Sequence, residues 1–236
     1  MGRAFEYRKE RKFKRWGAMA KAFTRIGKEI AISVREAGPN PESNARLRQA
    51  IQNAKGVNMP KDRVEAAIKK ASSKELANYE EVIYEGYGPH GVAIVVDTQT
   101  DNPTRTVANI RSYFNKNNGA LGNSGSVEYM FKKKSFFKFP LGKWQTDELE
   151  LELIDAGLTE LQEDGDVVIA YAEFIDFGKL SKALEDRGID VTESGYEKEP
   201  DFYKEGLTDE QAEDVIRLIE KLEDDDDVNL VFHNMK

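Results

Sequence analysis

Seven cationic and four aromatic side chains crowd the first 16 residues: Arg3, Arg8, Lys9, Arg11, Lys12, Lys14 and Arg15 interleave with Phe5, Tyr7, Phe13 and Trp16. Guanidinium forks and ammonium groups neutralise phosphates, and aromatic faces stack on exposed bases or pack on sugars, so this arm carries the chemistry of nucleic-acid binding. Few of its apolar residues follow a helical stripe, and it is not expected to fold on its own. The cationic excess continues beyond it: residues 1–78 hold 19 Lys+Arg against 8 Asp+Glu, whereas residues 79–236 hold 16 against 35. The net charge of −8 and a pI near 5.1 conceal that split. A cationic surface raises the local density of phosphate-bearing ligands and releases condensed counterions as it neutralises them. The acidic remainder repels the same polyanion and is left to face solvent or a protein partner. A plainer reading, in which basic helices only balance an acidic body, fits less well because the cations cluster with aromatics near one terminus.

Other chemistry is hard to place. With no cysteine there is no disulfide framework, thiolate nucleophile or Cys-ligated zinc, and a reducing cytoplasm is the simplest expectation. Gly86-Tyr87-Gly88-Pro89-His90-Gly91 matches the Gly-x-Gly-x-x-Gly dinucleotide fingerprint, but that fingerprint needs a helix directly after the glycines and an acid about 20 residues on. A strand pattern follows instead, so the segment reads as a hairpin-type turn. The glycine-rich stretch Gly119 to Ser126 offers backbone N–H groups to a phosphate but lacks the Gly-Lys-Ser/Thr ending of a P-loop; a flexible connection accounts for it equally. His90 and His233 sit in no metal-ligand or triad spacing, and the run Glu223 to Asp227 lacks the spaced ligands of a calcium loop, so it reads as a solvated helix end. No catalytic residue, metal, cofactor or small-molecule substrate is predicted.

These residues must be positioned by an α+β chain. Phe23, Ile26, Ile30 and Val34 predict a helix over 19–37, with Lys21, Arg25, Lys28 and Arg35 largely off its apolar stripe. A second helix is expected from Asn40 as cap to Gly56, carrying Arg46, Arg48 and Lys55, and a third from Pro60, with Lys69 and Lys70 outside. Three short helices also match the outline of a helix-turn-helix DNA reader, although spacing assigns no base-reading side chain. Strands follow at 82–84 and 92–98, then a helix opened by Asp101-Asn102-Pro103 and a strand over 127–131. Residues 135–199 run strand, helix, two strands, helix, strand, a βαββαβ order that predicts a ferredoxin-like split-βαβ sandwich; alternating Leu149, Leu151 and Leu153 leave 147–155 ambiguous between strand and helix. A capping box at Thr208 to Gln211 opens a last helix, and Val228, Leu230 and Phe232 mark a last strand. One helix and one strand cannot form a core alone, so the chain is expected to return to its first α/β domain. The expected domains are 1–78, basic and helical; 79–134 plus 205–236; and an inserted 135–204. Charged residues interrupt 18–30, which predicts no secretory signal, and the longest strongly apolar run, Val92 to Val96, is far short of the roughly 20 residues that span a bilayer, which predicts no membrane association.

Several stretches carry a resemblance. Phe23 to Ile30, Asn44 to Arg48, Asn58 to Asp62, Tyr84 to Val92, Asp101-Asn102 with Arg105 to Val107, and Gly122 to Val127 resemble the YebC/PmpR family. The likeness covers most of the chain and is most specific over 23–131. It implies a three-domain cytoplasmic protein of a kind described as a DNA-binding transcriptional regulator. The same family includes the mitochondrial translational activator of cytochrome oxidase, and bacterial members are linked to ribosomes stalled at proline-rich stretches. Many members open with Gly-His-Ser-Lys-Trp, whereas this chain opens Met1-Gly2-Arg3-Ala4-Phe5. The expectation is a non-enzymatic nucleic-acid-binding regulator acting on DNA or, alternatively, on ribosomal RNA at the ribosome. Its expected contacts are Arg3, Arg8, Lys9, Arg11, Lys12, Lys14, Arg15, Trp16, Lys21, Arg25, Lys28, Arg46, Arg48 and Lys55.

Overall fold

Apolar residues at spacings of three and four wind Met19–Ala37 into helix α1, with Ile30, Ala31 and Val34 buried, and the chain leaves the helix at Gly38. The computed structural model describes residues 19–73 and 78–236; the arm lies outside them. Helix α2 (Ala45–Gly56) starts later than the sequence predicts. Asn40 instead accepts from the Glu42 amide in a turn, and the cap is Asn44, whose Oδ1 accepts from the Leu47 amide while its Nδ2 donates to the carbonyls of Ser33 and Gly38. Helix α3 (Lys61–Ala71) follows Pro60 as expected.

The described residues form two compact units: the residues up to Ile32 with Ser73–Lys132 and Glu199–Lys236, and Ser33–Ser72 with Lys133–Lys198. In the first unit, β1 (Glu80–Tyr87) and β2 (Ala93–Thr100) are an antiparallel hairpin, closed where the Gly88 amide donates to the Val92 carbonyl. A strand rather than a helix follows the glycines, as the turn reading requires. Strand β8 (Val228–His233) pairs antiparallel with the other edge of β2, so every residue of β2 is buried. Short β3 (Ala120–Leu121) completes the order β3-β1-β2-β8. It approaches so closely that a Cβ on Gly86 would lie 2.5 Å from the Ala120 carbonyl oxygen. Helices α4 (Pro103–Lys116, capped by Asn102) and α7 (Asp209–Asp224, opened by the Thr208–Gln211 capping box) bring Ile110, Phe114, Val215, Leu218 and Leu222 against Tyr84, Ile94 and Val96. The returning helix and strand thus complete the first α/β core.

In the second unit, β4 (Phe131–Pro140, from Lys133 on), β5 (Leu158–Asp164), β6 (Val167–Glu173) and β7 (Glu193–Pro200, to Lys198) take the order β5-β6-β4-β7, the split-βαβ arrangement. Helices α5 (Thr146–Leu153) and α6 (Phe177–Asp186) pack Leu149, Leu153, Leu180 and Leu184 on Phe137, Phe139, Val168 and Ala170. The ambiguous 147–155 segment is therefore helical. Gly157 ends its final turn at φ 92°, 2.7 Å from the Asp176 side chain at its Cβ position, where any side chain would collide. The strand expected over 127–131 is instead a 3-10 turn, Glu128–Met130, and β4 begins at Phe131.

Candidate nucleic-acid interface

Of the expected contacts, Arg3, Arg8, Lys9, Arg11, Lys12, Lys14, Arg15 and Trp16 lie outside the described residues. Those of α1 meet the acidic run. Lys21 Nζ lies 2.8 Å from Asp224 Oδ1, and Arg25 donates to the Glu223 carbonyl at 3.3 Å. Lys28 is buried and spends its three donors on the Gln99 carbonyl (2.9 Å), the Asp226 carbonyl (2.7 Å) and Asp227 Oδ1 (3.1 Å). That ammonium has no donor left for a phosphate.

Asp227 is the hub of this network. Its Oδ2 accepts from Arg105 (2.7 Å), Thr106 (2.9 Å) and Thr100 (3.3 Å). Burial pushes its carboxyl up, but the hydrogen bonds from Arg105, Thr106 and Lys28 outweigh that and hold it below the ordinary aspartate range. The same bond, with a second to Asp101, pushes the Arg105 guanidinium above its ordinary value. Asp225 accepts from Tyr113 Oη (3.0 Å) and Asn109 Nδ2 (3.2 Å); burial raises the Tyr113 phenol and this bond raises it further. The run read as a solvated helix end is thus partly a buried anchor. Nothing local separates Asp227 from its acidic neighbours, because the cations that choose it are about 120 and 200 residues away in sequence.

The remaining contacts lie in the second unit. Arg46 faces Glu36 with both carboxylate oxygens at 2.9 and 3.0 Å, Arg48 donates to the Pro41 and Glu42 carbonyls, and Lys55 is exposed. Exposed Arg35, Lys61, Arg63, Lys69 and Lys70 add to the basic character of residues 33–72. On α2, Gln49 and Asn53, types suited to reading adenine, both donate to the Ser194 carbonyl, and Asn53 Oδ1 accepts from the Ser194 amide.

The glycine-rich loop does form a nest of amides, but the anion inside it belongs to the chain. The buried carboxylate of Glu85 accepts from the amides of Gly125 (2.6 Å), Val127 (2.8 Å) and Glu128 (2.7 Å). His90, at φ 61° in the hairpin turn, places Nε2 2.9 Å from Asp214 Oδ2, and that bond, with another from Arg217, keeps the Asp214 carboxyl below its ordinary range. Among the described residues no cluster of three or more His, Asp or Glu could hold a metal ion, and no helix is long and apolar enough to cross a membrane.

Comparison with known proteins places this arrangement. Residues 3–74 match the model of the TACO1/YebC protein N-terminal domain, and residues 79–235 match that of the TACO1/YebC second and third domain. A "Probable transcriptional regulatory protein" of Flavobacterium psychrophilum is 58% identical over 236 residues, covering 100% of both chains. One of the same description from Wolinella succinogenes is 49% identical over 237 residues, again covering 100% of each. The crystal structure of a conserved hypothetical protein, Aq1575, from Aquifex aeolicus superposes with a TM-score of 0.82 at 38% identity, covering 92% of this chain and 90% of that one. With both family models matched in succession and the fold shared, this chain belongs to the TACO1/YebC family.

Proposed function

We propose that this chain is a non-enzymatic, nucleic-acid-binding regulator of gene expression that acts on DNA from the cytoplasm. The observation that carries the reading is the charge split, with 19 Lys+Arg against 8 Asp+Glu in residues 1–78 of an otherwise acidic chain. The relatives' description as transcriptional regulatory proteins supports it. In this reading the arm and, separately, the exposed cations of residues 33–72 meet phosphates, while Lys28 is held in the core of the first unit and is withheld from them. The division into a basic helical domain over 1–78, an α+β domain over 79–134 plus 205–236, and an insert over 135–204 assigns the grip to the first of these.

One observation favours ribosomal RNA as the alternative target. Gln49 and Asn53 are spent on Ser194, so α2 offers no such pair for base edges, and a grip confined to phosphates suits an RNA surface where sequence readout is not required. Ultraviolet crosslinking in living cells, with the purified adduct digested separately by RNase and by DNase, decides between them. Loss of the adduct to DNase, with fragments gathered at promoters, is the expected result. Loss to RNase alone, with fragments in ribosomal RNA, replaces DNA by the ribosome, and no adduct with either overturns the nucleic-acid reading.

A further inference from the structure

The second unit carries a surface of the opposite character to the basic arm. Helix α5 holds Asp147, Glu148, Glu150 and Glu152 with no basic residue, and Asp155 follows in the next turn. A leucine at every second position cannot keep one face of a helix, so while Leu149 and Leu153 enter the core, Leu151 is turned outward and is 74% exposed. Ile154, three residues on, is 54% exposed on the same side. The next turn leads towards a second exposed apolar pair: the Gly157 amide donates to the Ile154 carbonyl, a Cβ at Gly157 would lie 2.7 Å from the Asp176 side chain, and the residues just before Asp176 are Phe174 and Ile175, 44% and 91% exposed. Leu151 and Ile154 stand among five acids on one helix and the turn after it, and with Phe174 and Ile175 they make four large exposed apolar side chains, more than scattered surface residues.

The structure also shows what this surface holds. Lys133 places Nζ 3.8 Å from the ring centroid of Phe174 and 3.9 Å from that of Tyr196, and the two rings stand edge to face, 83° apart with centroids separated by 6.1 Å. This is a two-walled aromatic cage with an ammonium group inside it. Arg187, paired with Glu152, exposed Lys179, and exposed Lys143, which lines one cavity with Glu148 and Glu152, are cations near this face; they are fewer than the five exposed carboxylates of α5 and the turn after it.

We infer that Leu151, Ile154, Ile175 and the Phe174–Tyr196 cage form a docking surface for a basic amphipathic segment of a partner protein, whose apolar face covers the exposed side chains and whose Lys or Arg displaces Lys133 from the cage. The carboxylates of α5 supply the charge complement and repel nucleic acid from the same face. The inference stands apart from the nucleic-acid reading, since none of these residues belongs to the basic arm or to α1–α3.

The test is fluorescence anisotropy of the full chain with a labelled peptide of about 15 residues in which Arg and Lys alternate with Leu at helical spacing, the periodicity of a helix seated in a groove. The control peptide has Glu in place of Arg and Lys. The wild-type chain should bind the cationic peptide and ignore the control. Ile175→Ser and the double variant Leu151→Ser/Ile154→Ser change no charge and no buried residue, and each should weaken binding by about tenfold. Lys133→Ala removes the cage's own occupant and should tighten binding severalfold. Unchanged affinity in the serine variants would reduce the effect to unspecific charge attraction and overturn the inference, as would weaker binding by Lys133→Ala. Circular dichroism of each variant separates loss of the surface from loss of the fold, and nucleic-acid affinity measured on the same variants should be unchanged.

Discussion

A carboxylate as enclosed as that of Asp227 is tolerated because four donors share it, and that ties the first unit to its charge. Asp227→Asn keeps the shape but removes the charge that answers Lys28 and Arg105, leaving buried Lys28 without its counterion. The variant should lose about 3 kcal/mol of unfolding free energy in urea titration. The pH dependence follows from the direction of the shift. Because the folded carboxyl lies below its unfolded value, its contribution is fully present above the unfolded value near 4 and is lost as pH falls through the lower, folded one. Stability of the wild type should therefore drop on acidification through that window, and Asp227→Asn should show a shallower drop. Equal slopes would assign the acid sensitivity to other carboxylates.

At the scale of elements, Glu85 decides the path of the chain from β3 to β4. Its three amide partners would otherwise be available to a strand ladder, and Val127-Glu128-Tyr129-Met130-Phe131 has the β-branched and aromatic composition of a strand. Glu85→Gln offers one acceptor oxygen where two are used and turns an amide NH2 towards backbone N–H groups. It should cost about 2 kcal/mol and speed hydrogen exchange at Gly125, Val127 and Glu128 while leaving the α7 amides protected. Unchanged exchange at those three amides would mean that the loop is held by something other than this carboxylate. The episode also marks how far the sequence is legible. Helix α1 was readable to the residue because a long, strongly periodic apolar stripe sets it. The βαββαβ order and the return of β8 to the first sheet were readable because each amphipathic element needs a partner face. The cap of α2 was misplaced by four residues because Asn40-Pro41 has the right local chemistry. Asn44 prevails through bonds to Ser33 and Gly38 that no local pattern reveals. The same limit hid the buried role of Asp227 and the diversion of Gln49 and Asn53 to Ser194.

Over the whole molecule, the distribution of charge makes a quantitative demand on the salt dependence of binding. Each phosphate neutralised on duplex DNA contributes about −0.9 to the slope of log affinity against log salt, and about −0.7 on a single strand. The arm holds seven of the nineteen cations of residues 1–78. Others in the described part of that segment are already engaged: Lys28 in the core, Lys21 with Asp224 and Arg46 with Glu36. Among them, ion pairs at the surface exchange readily with phosphates, whereas the buried one does not. Deleting residues 1–16 should therefore weaken binding to both duplex and single-stranded oligonucleotides and make the slope shallower by up to about six, approached only if every arm cation meets a duplex phosphate. The measurement is anisotropy of a labelled oligonucleotide titrated with the full chain and with the shortened chain between about 50 and 200 mM salt, a range over which such contacts change affinity by orders of magnitude. Exposed Arg35, Lys55, Lys61, Arg63, Lys69 and Lys70 should sustain the residual slope, because they are covered by none of the packing that removes Lys28 from contention. If the shortened chain retains the full slope, the phosphates meet those helices instead, and the arm cations are not the phosphate grip.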